Sequence, residues 1–321
     1  MIYITADGGG TKLIAFAFDE NLNVLASAKA GGVNSLFMGK DEARSNMAKV
    51  ADTLFDSLEK SCGKVCEVEG LYYAIAGLGD GFSCEIERRA KVKRMERLGE
   101  GQIGFLAGTL EKSGLLALSG TGSDCFIIKD CRSVGMIGGW GLYFGDEGSG
   151  FDMGRQAIIA AIRSQDGRGK KTELEDLVFQ SLGLEKSLWE VCSLHNRPSF
   201  RKDVSSLTRA VETACRHGDD TALEIVKNAA KELSLAAVTI MKKHGYSKDD
   251  TFVFTTAGGG WKTSEKMTEI FVDDVKEHFP LSVFKKPLFE PVVGGAIKYI
   301  YDQGDTPGEE LLKEKLSEFL L

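Results

Sequence analysis

Asp7-Gly8-Gly9-Gly10-Thr11-Lys12 places a carboxylate, three residues without side chains, a hydroxyl and an amine in six consecutive positions. Glycines permit positive φ and let backbone N–H groups approach an anion. An acid beside them suits Mg²⁺, which takes one or two carboxylates together with waters and phosphate oxygens. The spacing is not the GxxxxGK[ST] of a Walker loop. Nor is it a dinucleotide fingerprint, because the residues that follow read as a strand rather than a helix. The pattern therefore predicts a phosphate held by amides, with Mg²⁺ near Asp7. The other reading is a tight hairpin whose turn Asp7 caps.

The same layout recurs in LALSGTGSDCFIIKD, where Gly120, Thr121, Gly122 and Ser123 form the turn. In each copy an apolar strand, a glycine hairpin bearing hydroxyls, a second apolar strand and an acidic turn follow one another. Two such hairpins would suit two related halves facing one cleft.

These turns need strands and helices to hold them. Residues 2–6, 13–18 and 24–28 read as an antiparallel meander, 41–60 as a helix and 71–77 as a buried strand. CEIERRAKVKRMER (84–97) reads as a charged helix with a solvated face. Residues 114–130 read as strand, turn, strand, and the glycine-rich 133–150 opens a helix over 151–165. From about 170 to 245 the chain reads as mostly helical, and a strand at 252–256 ends in the glycines of 257–260. A helix near 263–278 and a charged one at 308–321 complete the pattern.

At 321 residues, two domains are expected, and 43% hydrophobic with 27% charged residues is an ordinary globular composition. The net charge of −7 argues against nucleic acid or an anionic membrane as partner. No apolar run approaches the ~18 residues of a membrane span. Met1-Ile2 leads directly into a strand, so no signal peptide is expected. Seven scattered cysteines without CxxC pairs read as reduced thiols of a cytoplasmic protein. The four histidines lack metal-ligand spacing.

DGGGTK, AGLG (76–79), LSGTGS (118–123), GGWGLYFGDEGSG (138–150) and AGGG (257–260) resemble, in order and spacing, the N-acetylglucosamine kinase/BadF-type ATPase family of the sugar kinase–Hsp70–actin superfamily. The resemblance implies an α/β protein of two ribonuclease-H-like lobes, the actin-like ATPase fold, with ATP in the cleft between them. Residues 1–114 would form the first lobe, with 305–321 packing back on it. Residues 115–304 would form the second, with a helical insertion at about 165–245.

The resemblance also implies roles. Gly8, Gly9, Gly10, Thr11 and Lys12 would form one phosphate hairpin, with Mg²⁺ at Asp7. Gly120, Thr121, Gly122 and Ser123 would form the other. Gly258, Gly259 and Gly260 would lie against the adenosine, followed by Ser264. Asn34, Ser123, Trp140, Gly141 and Asp146 would face an amino sugar. The other readings are Asn34 as a turn residue, Asp146 or Ser149 as a helix cap, and Trp140 as a core residue.

At the family's Asn-Asp before the second hairpin, this chain has Gly99-Glu100. Glu100 would be the general base; otherwise it is a surface loop residue. The implied activity is transfer of the ATP γ-phosphate to the 6-hydroxyl of N-acetylglucosamine, N-acetylmuramic acid or glucosamine, with a homodimer compatible. The alternatives are an ATPase that activates a reductase or dehydratase, or a sugar sensor without turnover.

Overall fold

The computed structural model describes residues 1–35, 38–77, 79–185 and 188–321. Leu78, within the AGLG segment, lies outside the described residues. In chain order the elements begin with β1 (Tyr3–Gly8), β2 (Lys12–Phe18), β3 (Val24–Gly31), α1 (Lys40–Cys62) and β4 (Glu67–Ile75). They continue with α2 (Gly79–Arg89), β5 (Lys91–Arg97), α3 (Glu100–Thr109), β6 (Gly114–Ser119), β7 (Ser123–Lys129) and β8 (Arg132–Gly138). The helices α4 (Gly150–Gln165), α5 (Leu174–Leu182), α6 (Leu188–Ser193), α7 (Phe200–Ser206), α8 (Thr208–Arg216) and α9 (Asp220–Lys243) follow. The chain closes with β9 (Val253–Ala257), α10 (Glu265–His278), β10 (Val283–Phe284), α11 (Gly294–Asp302) and α12 (Glu309–Lys315).

Two compact units form. The first comprises Met1–Gly114, Ile128–Val134 and Lys285–Leu321, and the second Leu115–Ile127 and Gly135–Phe284. Each is organised on a five-stranded sheet, ordered β3-β2-β1-β4-β5 in one and β10-β9-β6-β7-β8 in the other. Read from the glycine hairpin outward the two orders are the same, which matches the repetition in sequence. Residues 285–304, expected in the second lobe, group with the first unit instead. The cause is a pair of close approaches: a Cβ on Gly294 would stand 2.1 Å from the Ile103 carbonyl, and one on Gly295 2.1 Å from Thr5 Oγ1. Without those side chains α11 seats directly against α3 and β1.

In the first unit, β1, β2 and β3 form the expected antiparallel meander, while β1, β4 and β5 run parallel. Strand alternation sends successive residues to opposite faces. Leu13, Ala15 and Ala17 join one core with α1, and Phe16 and Phe18 join another with α3 and α11. The helix α1 buries Ala43, Met47, Val50, Ala51, Leu54, Phe55 and Leu58, an apolar stripe at 3.6-residue spacing.

The basic stretch 91–97, read from sequence as helical, is the edge strand β5. Its exposed charges pair across strands, Lys93 with Glu67 (2.6 Å) and Glu69 (2.7 Å). An edge strand dressed in lysine and arginine resists pairing with a further strand, which is why it lacks an apolar period. In the second unit α9 buries Ile225, Val226, Ala229, Ala230, Leu233, Ala237, Ile240 and Met241 within a large core. Among the described residues no helix is long and apolar enough to cross a membrane.

Candidate functional site

Because β1, β4 and β5 are parallel, their carboxyl ends share one edge of the first sheet, where open α/β sheets bind ligands. Asp7 lies there, in register with Ala74. The glycine turn is closed by the Gly9 N–H donating to the Lys12 carbonyl (3.0 Å). None of Gly8, Gly9 and Gly10 adopts positive φ, so the first of the two reasons read from sequence for these glycines is corrected. Close approach is the operative one. A Cβ on Gly8 would fall 2.6–2.9 Å from Val33, Ile75 and Leu13, and one on Gly32 2.2 Å from the Gly10 carbonyl. At Gly9 a Cβ would meet nothing within 4 Å, so the space beside that residue is open.

The segment after β3 is thereby pressed onto the turn. The Gly9 carbonyl accepts from the Val33 N–H (2.9 Å) and the Asn34 N–H (3.3 Å). Asn34 is buried, and its Oδ1 lies 3.0 Å from where a Cβ on Gly77 would stand. Gly77 has φ +77°, so its lack of a side chain serves both conformation and space.

Burial raises the Asp7 carboxyl to a pKa of about 6, with Lys12 opposing and Glu290 reinforcing the shift. Sequence reading missed Glu290. It precedes the turn (Pro291–Val293) that leads into the Gly294-Gly295 docking point, and Lys12 is ion-paired to it. Lys12, expected to serve the phosphates, is thus engaged by a carboxylate. The acid-proline-Val-Val-Gly-Gly run was the available signal. No group of three or more metal-ligating side chains forms among the described residues. A desolvated carboxylate with a second acid near it suits Mg²⁺, which needs no fuller protein cage and would relieve the cost of ionising Asp7.

Glu100 is the first residue of α3 and is exposed. The Gln102 Oε1 accepts from the Gly99 N–H (3.2 Å), fixing the start of that helix. Leu98 N–H donates to the Tyr73 carbonyl (2.8 Å), so α3 begins at the carboxyl end of β5. That is two strand spacings from Asp7, about 10 Å across the sheet. Arg97 also turns over this edge, its Nη2 3.4 Å from the Ile75 carbonyl.

In the second unit the β6–β7 turn gathers three segments. The Gly120 carbonyl accepts from the Gly150 N–H (2.8 Å), and Ser119 Oγ donates to the Gly148 carbonyl (2.8 Å). A Cβ on Gly258, at φ +99°, would stand 2.3 Å from the Ser119 carbonyl, and one on Gly260 2.0 Å from Ser119 Oγ. Ser264 is the N-cap of α10, accepting from the Lys266 N–H (3.3 Å). Its neighbour Thr263 is buried with no hydrogen-bond partner for its hydroxyl among the described residues.

Asp146 is the second unit's other feature. It is buried, and at φ +57° it stands in the left-handed region, costing about 1 kcal/mol or more. It does not cap α4; Ser149 does, accepting from the Asp152 N–H (3.1 Å). Asp146 accepts backbone N–H bonds from Ser123 and Gly141 and is bridged to Arg201 at 3.2 Å. Burial pushes its carboxyl up while Arg201 pulls it down. Arg201 was not foreseen, and no spacing signal could have found a partner 55 residues away. Trp140, 78% exposed, is not a core residue; Tyr143 and Phe144 on the same loop are exposed as well.

The chain matches the BadF/BadG/BcrA/BcrD ATPase family over residues 6–297. It belongs to that family. It is 30% identical over 271 residues to the N-acetylmuramic acid/N-acetylglucosamine kinase of Clostridium acetobutylicum, covering 80% of this chain and 84% of that one. It is 26% identical over 319 residues to the N-acetyl-D-glucosamine kinase of Dictyostelium discoideum, covering 92% and 97%. Among solved structures it superposes on a ROK family glucokinase from Streptomyces griseus, solved with glucose and AMPPNP, at a TM-score of 0.57 and 12% identity, covering 93% and 99%. As in sugar kinases, this family member's fold is the actin-like ATPase fold: α/β, with two five-stranded sheets and their helices.

Proposed function

We propose that this chain is an ATP-dependent sugar kinase that transfers the γ-phosphate to the 6-hydroxyl of an amino sugar. N-acetylglucosamine is the first candidate, with N-acetylmuramic acid and glucosamine beside it. The observation that carries the reading is the carboxyl edge of the first sheet. A desolvated Asp7 with the glycine turn that follows it, the buried Asn34 and the start of α3 at Glu100 lie along that edge, from three segments of the chain. Family membership and the kinase names of the relatives support it.

In this reading the two turns, Gly8 to Thr11 and Gly120 to Ser123, face phosphate, and the N–H groups that the turns do not use internally neutralise its charge. The glycines at 258–260 accept the adenosine. Asp7, with Glu290 nearby, would hold Mg²⁺, which supplies charge neutralisation at the terminal phosphates. Asn34 and Asp146 hydrogen-bond sugar hydroxyls, and Trp140 with Gly141 borders the ring. Glu100 takes the proton from the 6-hydroxyl as its oxygen attacks phosphorus in line. A cytoplasmic protein with a small-molecule partner, and neither nucleic acid nor membrane, goes with this reading.

A coupled ADP-release assay over a panel of amino sugars, with Glu100→Gln beside the parent, tests it. The expected result is sugar-stimulated ADP release that falls by about 10²–10⁴ in kcat in the variant. ADP release that no sugar stimulates would refute the kinase reading. Equal turnover in the variant would remove Glu100 as the base and leave the rest standing.

A further inference from the structure

Asp146 and Arg201 form a buried ion pair whose side chains are 4% and 13% exposed. The pair is delivered by specific packing. The helix α7, which carries Arg201 in its first turn, lies so close to α4 that a Cβ on Gly154 would stand 1.9 Å from the Val204 carbonyl. Phe200, next to Arg201, packs edge-on against Phe151 of α4 with centroids 5.6 Å apart. On the other side, the Asp146 carboxylate reaches the second glycine turn, 3.1 Å from where a Cβ on Gly122 would lie. One carboxylate therefore joins the β6–β7 turn, the loop at Gly141 and α7.

We propose that Arg201 is a positioning residue for sugar binding: through its bridge to Asp146 it fixes that carboxylate as a hydroxyl acceptor. The inference rests on the kinase reading, in which Asp146 faces the sugar. A carboxylate offers about four acceptor positions. The Ser123 N–H, the Gly141 N–H and the Arg201 Nη2 occupy three of them. Among the described residues these donors leave the carboxylate able to accept from a hydroxyl as well. Arg201 also opposes the effects of burial and of the neighbouring Glu147, which favour protonation of this carboxyl. A protonated Asp146 would lose that remaining acceptor.

The test is steady-state kinetics over a pH series for Arg201→Met, Arg201→Lys, Asp146→Asn and the double variant Asp146→Asn/Arg201→Met. Arg201→Met is expected to raise the sugar KM by about ten- to a hundredfold, in line with breaking a buried charge pair, with the ATP KM within about twofold. The acid limb of kcat/KM for the sugar should move to higher pH. Lysine should recover most of the loss, and Arg201→Met should cost nothing more once Asp146 is Asn. If Arg201→Met does not fold, the same cycle is read on Arg201→Gln, which keeps an N–H donor and most of the volume. An unchanged sugar KM and acid limb, or an equal loss on the Asp146→Asn background, overturns the inference. If the parent releases no ADP with any sugar, the kinase reading fails instead. Arg201 is then judged by the Asp146 carboxyl NMR titration, which must shift upward in Arg201→Met for its action on Asp146 to stand.

Discussion

Replacing Asp7 by asparagine should stabilise the first unit at neutral pH while removing its function. Burial lifts the Asp7 pKa from an ordinary 3.8 to about 6. At 1.36 kcal/mol per unit, ionising this group in the fold rather than in the open chain costs roughly 3 kcal/mol. The folded-state value is the raised one, so the folded chain binds more protons than the unfolded chain between about pH 4 and 6. This group's contribution is therefore fully favourable below pH 4 and is lost as pH rises through 6. Asparagine has the same shape and never ionises. The variant and parent should be nearly equal in stability at pH 4, and the variant more stable by up to about 3 kcal/mol at pH 7.5. Amide hydrogen exchange in β1 and β4 reads the opening free energy of this unit by itself. Mg²⁺ with ATP should then protect those amides in the parent and much less in the variant. A variant no more protected than the parent at pH 7.5, or a gap that persists undiminished at pH 4, would refute the desolvation argument.

Two further substitutions test the second unit. Gly258→Ala places a Cβ 2.3 Å from the Ser119 carbonyl on a residue at φ +99°, so a loss of roughly 3 kcal/mol is expected. The fluorescence of Trp261, buried in the adjoining turn with its Nε1 donating to the Ala117 carbonyl (3.1 Å), follows the unfolding. Trp140→Ala removes a ring that is 78% exposed, so stability should change by less than about 0.5 kcal/mol. The sugar KM should rise several-fold if that ring borders the ligand, as thermal melts and ADP-release kinetics on one preparation would show.

The meander β1–β2–β3, the strand pair β6–β7 and the helix α1 were legible in the sequence because each carries its own period and its own turn. The glycine hairpins were legible for the same reason. What failed was local reasoning about non-local causes. The segment 91–97 looks helical because its lysines and arginines hide a strand whose identity depends on β4 beside it. The glycines at 8, 32, 258 and 260 invite an argument from backbone freedom. At Gly8 and Gly32 the reason lies instead in what another segment brings to within 3 Å. Glu290 reaches the Lys12 amine from 278 residues away and Arg201 reaches the Asp146 carboxylate from 55, through tertiary docking that no spacing in a single chain encodes.

Asp7 of the first unit and Asp146 of the second are held in different surroundings, and the difference bears on what each can do. Asp7 is desolvated, raised to about 6, and has a second acid pushing it further. Lys12 offsets part of that shift, and a bound cation would offset more, which is the role proposed for this carboxylate. Asp146 is buried too, but two backbone amides and a guanidinium already meet it. A further cation there would compete with Arg201, whereas a neutral hydroxyl donor needs only the remaining lone pair. Burial raises both carboxyls, but Asp146 is bridged to a guanidinium within its own unit, and surroundings that differ in this way suit different roles. In the proposed reading the end of β1 takes metal and phosphate, and the loop before α4 takes a sugar hydroxyl.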